Sequence, residues 1–435
     1  MVPPPEHLLD RPPLTALQGE RLRALLAEVL PRNRFYARKF TEAGVWPEEV
    51  RGPADLARLP FTTKEELTAD QEAHPPYGWV HTYPVEHYSR LHQTSGTRGR
   101  PLRWLDTPAS WARVVGCWEM IYDMAGVRRG DRLLFAFSFG PFLGFWSAFD
   151  AAQRRGCLCL SGGGMSSAAR LHFLLENDAS VVLCTPTYAL RLAEAAREAG
   201  LDLRAGRVRA LIVAGEPGGS IPATRDRIGE AWGARVFDHC GLTEVGPVGV
   251  ECRENPAGLH ILESEYLAEV IDPDSAGPVP PGQPGELVLT NLGRAGSPVI
   301  RYRTGDLVRV DARPCPCGRA LLRLDGGILG RVDDMIHVRG NNVYPAAVEA
   351  VVRRFAELAE YRVEVDEAGP LTALRVEVEP LRAEWGAALA ERVERAIRDE
   401  LLFRAEVRAV APGTLPRFEM KAKRFVRRKR SIPRS

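Results

Sequence analysis

The 435-residue sequence is 45% hydrophobic and 26% charged, enough apolar material for a full core and enough length for two or more domains. Its 58 Lys and Arg against 56 Asp and Glu leave a formal charge of +2, so no global field recruits nucleic acid or an anionic membrane, and a charged partner has to be held locally. Prolines and charges in "MVPPPEHLLDRPPL" stand where a signal peptide would need an apolar run, which points to the cytoplasm.

In chain order, "ALQGERLRALLAEVLPRNRFYARKF" (16–40) has the spacing of amphipathic helix. It leads to the loop "HQTSGTRGRP" (92–101), rich in hydroxyls and glycines. The apolar stretch 133–149, "LLFAFSFGPFLGFWSAF", is short for a bilayer and broken by Gly140-Pro141 and Gly144, so it predicts buried strand, turn and helix. "DRLLFAF", "ASVVLCTP" and "VRALIVAGE" read as buried strands, and "TYALRLAEAAREAG" between the last two as a helix with a glycine stop. That alternation predicts an α/β domain with a largely parallel sheet. From about Glu263, "EYLAEVIDP", "GELVLTNL" and "DLVRVDA" are strands parted by Pro/Gly turns, expected to form a more antiparallel, β-rich subdomain over about 248–330. After Gly330 the order strand, helix, two strands, helix, strand predicts a compact α+β domain, 331–435.

The loop at 92–101 lacks the lysine of a Walker motif, since Arg100 and Pro101 follow Gly99. Its backbone N–H groups and hydroxyls can still wrap phosphate, and a plain surface turn fits the same residues. Later segments bear on the choice. "DHCGLTEVGP" (238–247), "YRTGDL" (302–307), "GRVDDMIHVRGNNVYP" (330–345) and "LPRFEMKAKR" (415–424) follow the loop in order. With "LPFTTKEEL" near the start, these motifs resemble the adenylate-forming acyl-CoA synthetases, and most closely the phenylacetate:CoA ligases.

The resemblance implies an adenylation domain over 1–330 and a C-terminal domain over 331–435 that rotates about a hinge. It implies activation of a carboxylic acid by ATP to an acyl adenylate, followed by transfer to coenzyme A. Ser95, Gly96, Thr97 and Gly99 would hold the β- and γ-phosphates, Thr243 the α-phosphate, and Glu244 Mg2+. Asp238 would belong to the ATP site, Asp306 would accept the ribose hydroxyls, and Arg331 would lie near phosphate. Asp333 would be the hinge and Gly340 would line the coenzyme A tunnel. Lys421 is the expected catalytic lysine, with Lys423 as competitor. A solvated basic tail is the plainer reading of that end, because seven of the ten residues 421–430 are Lys or Arg. Against it, the whole chain has only five lysines.

Two departures from the family pattern stand out. Cys240 replaces the aromatic residue that stacks on adenine, and Arg98 and Arg100 replace a threonine and a lysine in the phosphate loop. Phe139, Phe142 and Phe145, with Ala214, Gly215 and Glu216, fall in segments that line the family's acyl pocket, which suits an aryl or arylacetic acid. Cys252, His260, Cys315 and Cys317 offer a Cys3His set. Their spacing alone leaves free thiols open, and likeness to some relatives implies structural Zn2+. The expected partners are a small carboxylic acid, ATP and coenzyme A, with no nucleic acid or membrane and a homodimer left open. Transfer to an amine or a carrier protein, and a nucleotide-binding protein without turnover, are the alternatives.

Overall fold

The computed structural model describes residues 5–94, 100–338, 341–366, 372–418 and 422–428. The N-terminal third is helical: α1 (Arg11–Val29), α2 (Arg34–Ala43) and α3 (Lys64–Ala73). Their starts are written in the sequence. Asn33 accepts the Tyr36 amide of α2, and Thr63 and Glu66 form a reciprocal capping box on α3. Next comes an antiparallel hairpin of β1 (Arg90–Gln93) and β2 (Arg103–Asp106), which carries the 95–99 loop between its strands.

Alternating elements follow: α4 (Pro108–Ala125), β3 (Arg132–Phe135), α5 (Leu143–Arg155), β4 (Leu158–Ser161), α6 (Ser167–Glu176), β5 (Val181–Cys184), α7 (Pro186–Glu198), β6 (Ala210–Ala214), α8 (Pro222–Trp232) and β7 (Arg235–Leu242). The apolar stretch 133–149 is therefore strand, turn and helix, and among the described residues no helix is long and apolar enough to cross a membrane. β4, β3, β5, β6 and β7 lie side by side and parallel. One apolar core packs α4 and α5 on one face of this sheet, and a second packs α6, α7 and α8 on the other.

Beyond β7 the strands are β8 (Gly246–Val250), β9 (Gly258–Ile261), β10 (Tyr266–Ile271), β11 (Pro284–Asn291), β12 (Tyr302–Arg309), β13 (Arg323–Asp325) and β14 (Gly330–Arg331). They divide between two sheets. β10, β11, β12 and β14 make a four-stranded antiparallel sheet. β8, β9 and β13 instead continue the large sheet, giving it the order β13-β9-β8-β7-β6-β5-β3-β4. The reason is burial: every residue of β8 and β9 is buried, so these strands need cover on both faces.

The C-terminal part has its own core. It contains β15 (Ile336–Val338), β16 (Asn341–Val343), α9 (Pro345–Val352), β17 (Leu358–Asp366), β18 (Ala373–Pro380), α10 (Gly386–Leu401), β19 (Glu406–Ala409) and β20 (Phe425–Arg428). Strand order is β19-β18-β17-β20, and alternate residues Val363, Val365, Val376 and Val378 meet Leu389, Val393 and Ile397 of α10. Part of the basic tail is thus sheet, with Phe425 packed against this core and the charges of β20 outward.

Candidate active site

Thr243 and Glu244 sit in the turn between β7 and β8. The Glu244 side chain is buried; it accepts the Tyr302 hydroxyl at 3.3 Å and lies 3.5 Å from the Lys64 ammonium. The backbone of the turn is held by Arg294, whose Nη1 donates to the Thr243 carbonyl at 2.9 Å and the Glu244 carbonyl at 3.3 Å. The same guanidinium donates through Nε and Nη2 to both oxygens of Asp106, at 2.9 and 2.8 Å. Asp106 ends β2, so a single side chain fastens the hairpin that carries the 95–99 loop to the Thr243–Glu244 turn. Burial alone would raise the Asp106 carboxyl, but Arg294 and His92 hold it below the ordinary carboxylate range.

Asp306 lies within β12, next to Gly305 at φ 72°. Glycine is required there twice over: the conformation is left-handed, and a Cβ would come within 2.6 Å of Arg331 Nη2. Arg331 Nη1 donates to Asp306 Oδ1 at 2.9 Å and to the Thr304 carbonyl at 3.0 Å, while its Nε reaches Asp333 Oδ1 at 3.1 Å. Asp306 Oδ2 takes no hydrogen bond among the described residues. Burial raises this carboxyl to about 6, with Arg331 opposing. Asp238 is engaged within the protein: Ser220 Oγ donates to Oδ2 at 2.5 Å and the His239 amide to Oδ1 at 3.1 Å. Burial raises it to about 7. Gly219 packs so close that a Cβ would meet Asp238 Oδ1 at 2.3 Å.

Ser95, Gly96, Thr97, Arg98, Gly99, Gly340 and Lys421 lie outside the described residues. Lys423 is exposed. Its neighbours tie the tail to the large domain. Glu216 accepts the Ala422 amide at 2.7 Å on one oxygen and the Thr187 amide of α7 at 2.9 Å on the other. Arg424 is buried; it makes a two-pronged pair with Glu360 at 2.8 and 3.0 Å, and its Nη1 reaches Thr187 Oγ1 at 3.2 Å. Glu216, expected to line the acyl pocket, thus links the Ala422 backbone to α7.

Around Phe139 the chain builds a dense aromatic cluster. Phe137 stacks on Phe145 at 3.8 Å between centroids, and Phe139 meets Trp146 at 4.9 Å and Phe149 at 5.4 Å. Phe142 touches Phe145 edge to face at 6.0 Å. This cluster follows β3; Ala214 ends β6 of the same sheet and Gly215 follows it, both at the C-terminal ends of parallel strands where open α/β sheets receive ligands. Cys240 is half-buried on β7 and pairs with Gly249 of β8.

At the far edge of that sheet, one ligand atom each from Cys252, His260, Cys315 and Cys317 lies within 4.8 Å of the others. Cys252 Sγ is 3.6 Å from Cys315 Sγ, and Cys317 Sγ is 3.5 Å from His260 Nε2. His260 Nδ1 faces the Leu321 carbonyl at 3.4 Å, which leaves Nε2 toward the sulfurs.

Residues 16–294 match the sequence model described as AMP-binding enzyme, and residues 340–429 match the one described as AMP-binding enzyme C-terminal domain. The chain belongs to the AMP-binding enzymes. Among relatives of this AMP-binding enzyme is the phenylacetate-coenzyme A ligase of Thermus thermophilus, 36% identical over 96% of this chain and 97% of the relative. A solved 2-hydroxyisobutyryl-CoA ligase in its postadenylation state, holding 2-HIB-AMP, is 30% identical and superposes at a TM-score of 0.93 over 98% of this chain and 94% of that one. The same ligase in its thioesterification state, with coenzyme A, is 31% identical and reaches only 0.74 over 99% and 94%. This AMP-binding enzyme thus superposes better on the first of the two.

Sequence reading missed Asp106 and Arg294, because "WLDTP" and "LGRAGS" carry no motif and the two residues are 188 positions apart. It also missed Arg424, hidden in a run of basic residues whose only distinguishing sign is the following apolar pair Phe425-Val426.

Proposed function

We propose that this chain is an AMP-forming acid:coenzyme A ligase acting on an aryl or arylacetic acid. The observation that carries it is likeness along the whole length to phenylacetate-coenzyme A ligases, from 32 to 36% identity over at least 93% of the chain. The carboxylate oxygen attacks the α-phosphorus of ATP and pyrophosphate leaves. The coenzyme A sulfur then attacks the acyl carbon and AMP leaves. Both steps gather negative charge, and preorganised donors stabilise it most cheaply.

In this reading Ser95, Gly96, Thr97 and Gly99 wrap the β- and γ-phosphates, Thr243 meets the α-phosphate, and Lys421 spans the carboxylate and α-phosphate. Asp306 accepts the ribose hydroxyls through Oδ2, supported by the engagement of Oδ1 with Arg331. Glu244 is the residue that would hold Mg2+, which supplies charge neutralisation to the phosphates when bound. A buried carboxylate whose nearby cation is the half-exposed Lys64 ammonium fits that task. Asp333, beside Arg331 at the start of the small domain, is the hinge, and Gly340 lines the pantetheine path. The two TM-scores for one relative in two states support such a rotation.

The Cys3His cluster is read as a structural Zn2+ site. A tetrahedral ion with bonds of about 2.3 Å needs ligand atoms roughly 3.8 Å apart. The 3.6 and 3.5 Å separations fit.

The test of function is pyrophosphate release with Mg-ATP and a panel of aryl, arylacetic and aliphatic acids, each with and without coenzyme A. Sustained release that needs the thiol is expected for aryl or arylacetic acids. Release indifferent to coenzyme A would overturn the assignment of the acceptor.

A further inference from the structure

His239 is a buried imidazole that the adenylation chemistry above does not use. It stands on β7 directly opposite Ala214 of β6 in parallel register, so the two side chains leave the sheet on the same face. That is the face covered by α4, and the histidine ring lies against Trp118 of α4, 4.6 Å between centroids. It is also the end of the sheet to which Ala214, Gly215 and the Phe139 cluster belong.

The proton on the ring is assigned by its partner. Nδ1 lies 2.8 Å from the Gly249 carbonyl, and a carbonyl can only accept, so Nδ1 carries the hydrogen. Nε2 is then a bare lone pair. Among the described residues no group donates to it. An acceptor that the protein itself leaves without a donor is open to a water or a ligand group. Burial keeps the ring neutral, with its pKa lowered to about 4. The side chains that flank it, Trp118 and Ala214, are without charge, so the fitting ligand group is a neutral donor.

We propose that His239 is a specificity-determining residue of the acyl pocket, whose Nε2 accepts a hydrogen bond from a hydroxyl or amino substituent on the acid. This deepens the ligase reading and rests on it. The substrate class narrows from aryl or arylacetic acids to those bearing such a donor on the ring or side chain. Trp118 and the Gly249 carbonyl fix the ring orientation, so the position of the donor, as well as its presence, is selected.

The test measures kcat/KM by pyrophosphate release for pairs of acids that differ only in hydroxyl or amino against methyl, at each ring position and at the α-carbon. The unmodified enzyme is expected to prefer the donor-bearing member at one position by roughly ten- to hundredfold. His239→Leu should lose or reverse that preference, while His239→Gln, which keeps an acceptor, should retain part of it. Circular dichroism of both variants checks that they fold. A preference for the methyl member at every position, or one unchanged in a folded His239→Leu variant, overturns the role of His239 and leaves the ligase reading intact. No release from any acid overturns both.

Discussion

Asp106 and Arg294 form a two-pronged ion pair with side-chain exposures of 0 and 1%, and the arginine spends its remaining donor on the carbonyls of Thr243 and Glu244. Taking one partner from such a pair strands a buried charge, at a cost of about 3–5 kcal/mol, whereas replacing both with apolar groups is often nearly neutral. Arg294→Met should therefore lower the denaturation midpoint strongly, and adding Asp106→Leu should recover much of it. Activity should not recover, because the 243–244 carbonyls still lack their donor and the turn loses its tether to the β1–β2 hairpin. Urea titration and pyrophosphate release on the single and double variants measure the two effects separately. A double variant with full activity would show that the pair serves stability alone.

Glu216 joins the amides of Thr187 and Ala422, and so holds Ala422, which stands between the two candidate lysines in the sequence, against α7. Because the chain superposes better on the postadenylation state of a relative than on its thioesterification state, these contacts should matter to the first half-reaction more than to the second. Glu216→Ala is expected to slow pyrophosphate release at least tenfold while sparing thioester formation from supplied acyl adenylate. Equal loss in both half-reactions would place Glu216 with the substrate instead of the domain contact.

These cases show what the sequence made legible. Alternating strands and helices and the order of motifs both depend on residues close together, and they led to the α/β architecture and the family. The Asp106–Arg294 strut, the Glu216 bridge and the burial of Arg424 depend on pairs of residues brought together by the completed fold. Position in sequence does not encode them. The assignment of β8, β9 and β13 to the large sheet was lost for a related reason: short apolar strands look alike, and only their burial on both faces decides which sheet they join.

The Cys252, His260, Cys315 and Cys317 cluster predicts about one tightly bound zinc per chain. Metal analysis of untagged protein should find it, and Cys315→Ser should lower both metal content and melting temperature without changing the KM for ATP. Protein that folds and melts normally with no metal would end the zinc assignment.

Asp306 gives a pH signature with a definite sign. Burial lifts its carboxyl from 3.8 to about 6, Arg331 pulling it down while Asp333 and Glu244 push it up. Between those values the folded chain keeps a proton that the unfolded chain has released, so folding stability falls as the pH rises through the window and stays at its lower level above it. Asp238, lifted to about 7 by burial, adds a contribution of the same sign. Asp306→Asn should thus raise the melting temperature at pH 8 and flatten part of the slope. Binding runs the other way. Ribose hydroxyls donate best to the ionised carboxylate, so the KM for ATP should rise as the pH drops below about 6. In Asp306→Asn it should be high at every pH. Thermal melts from pH 4 to 8 and ATP titrations of the rate across the same range check both halves. An Asn variant less stable than the parent at pH 8 would mean that Arg331 more than compensates the buried charge.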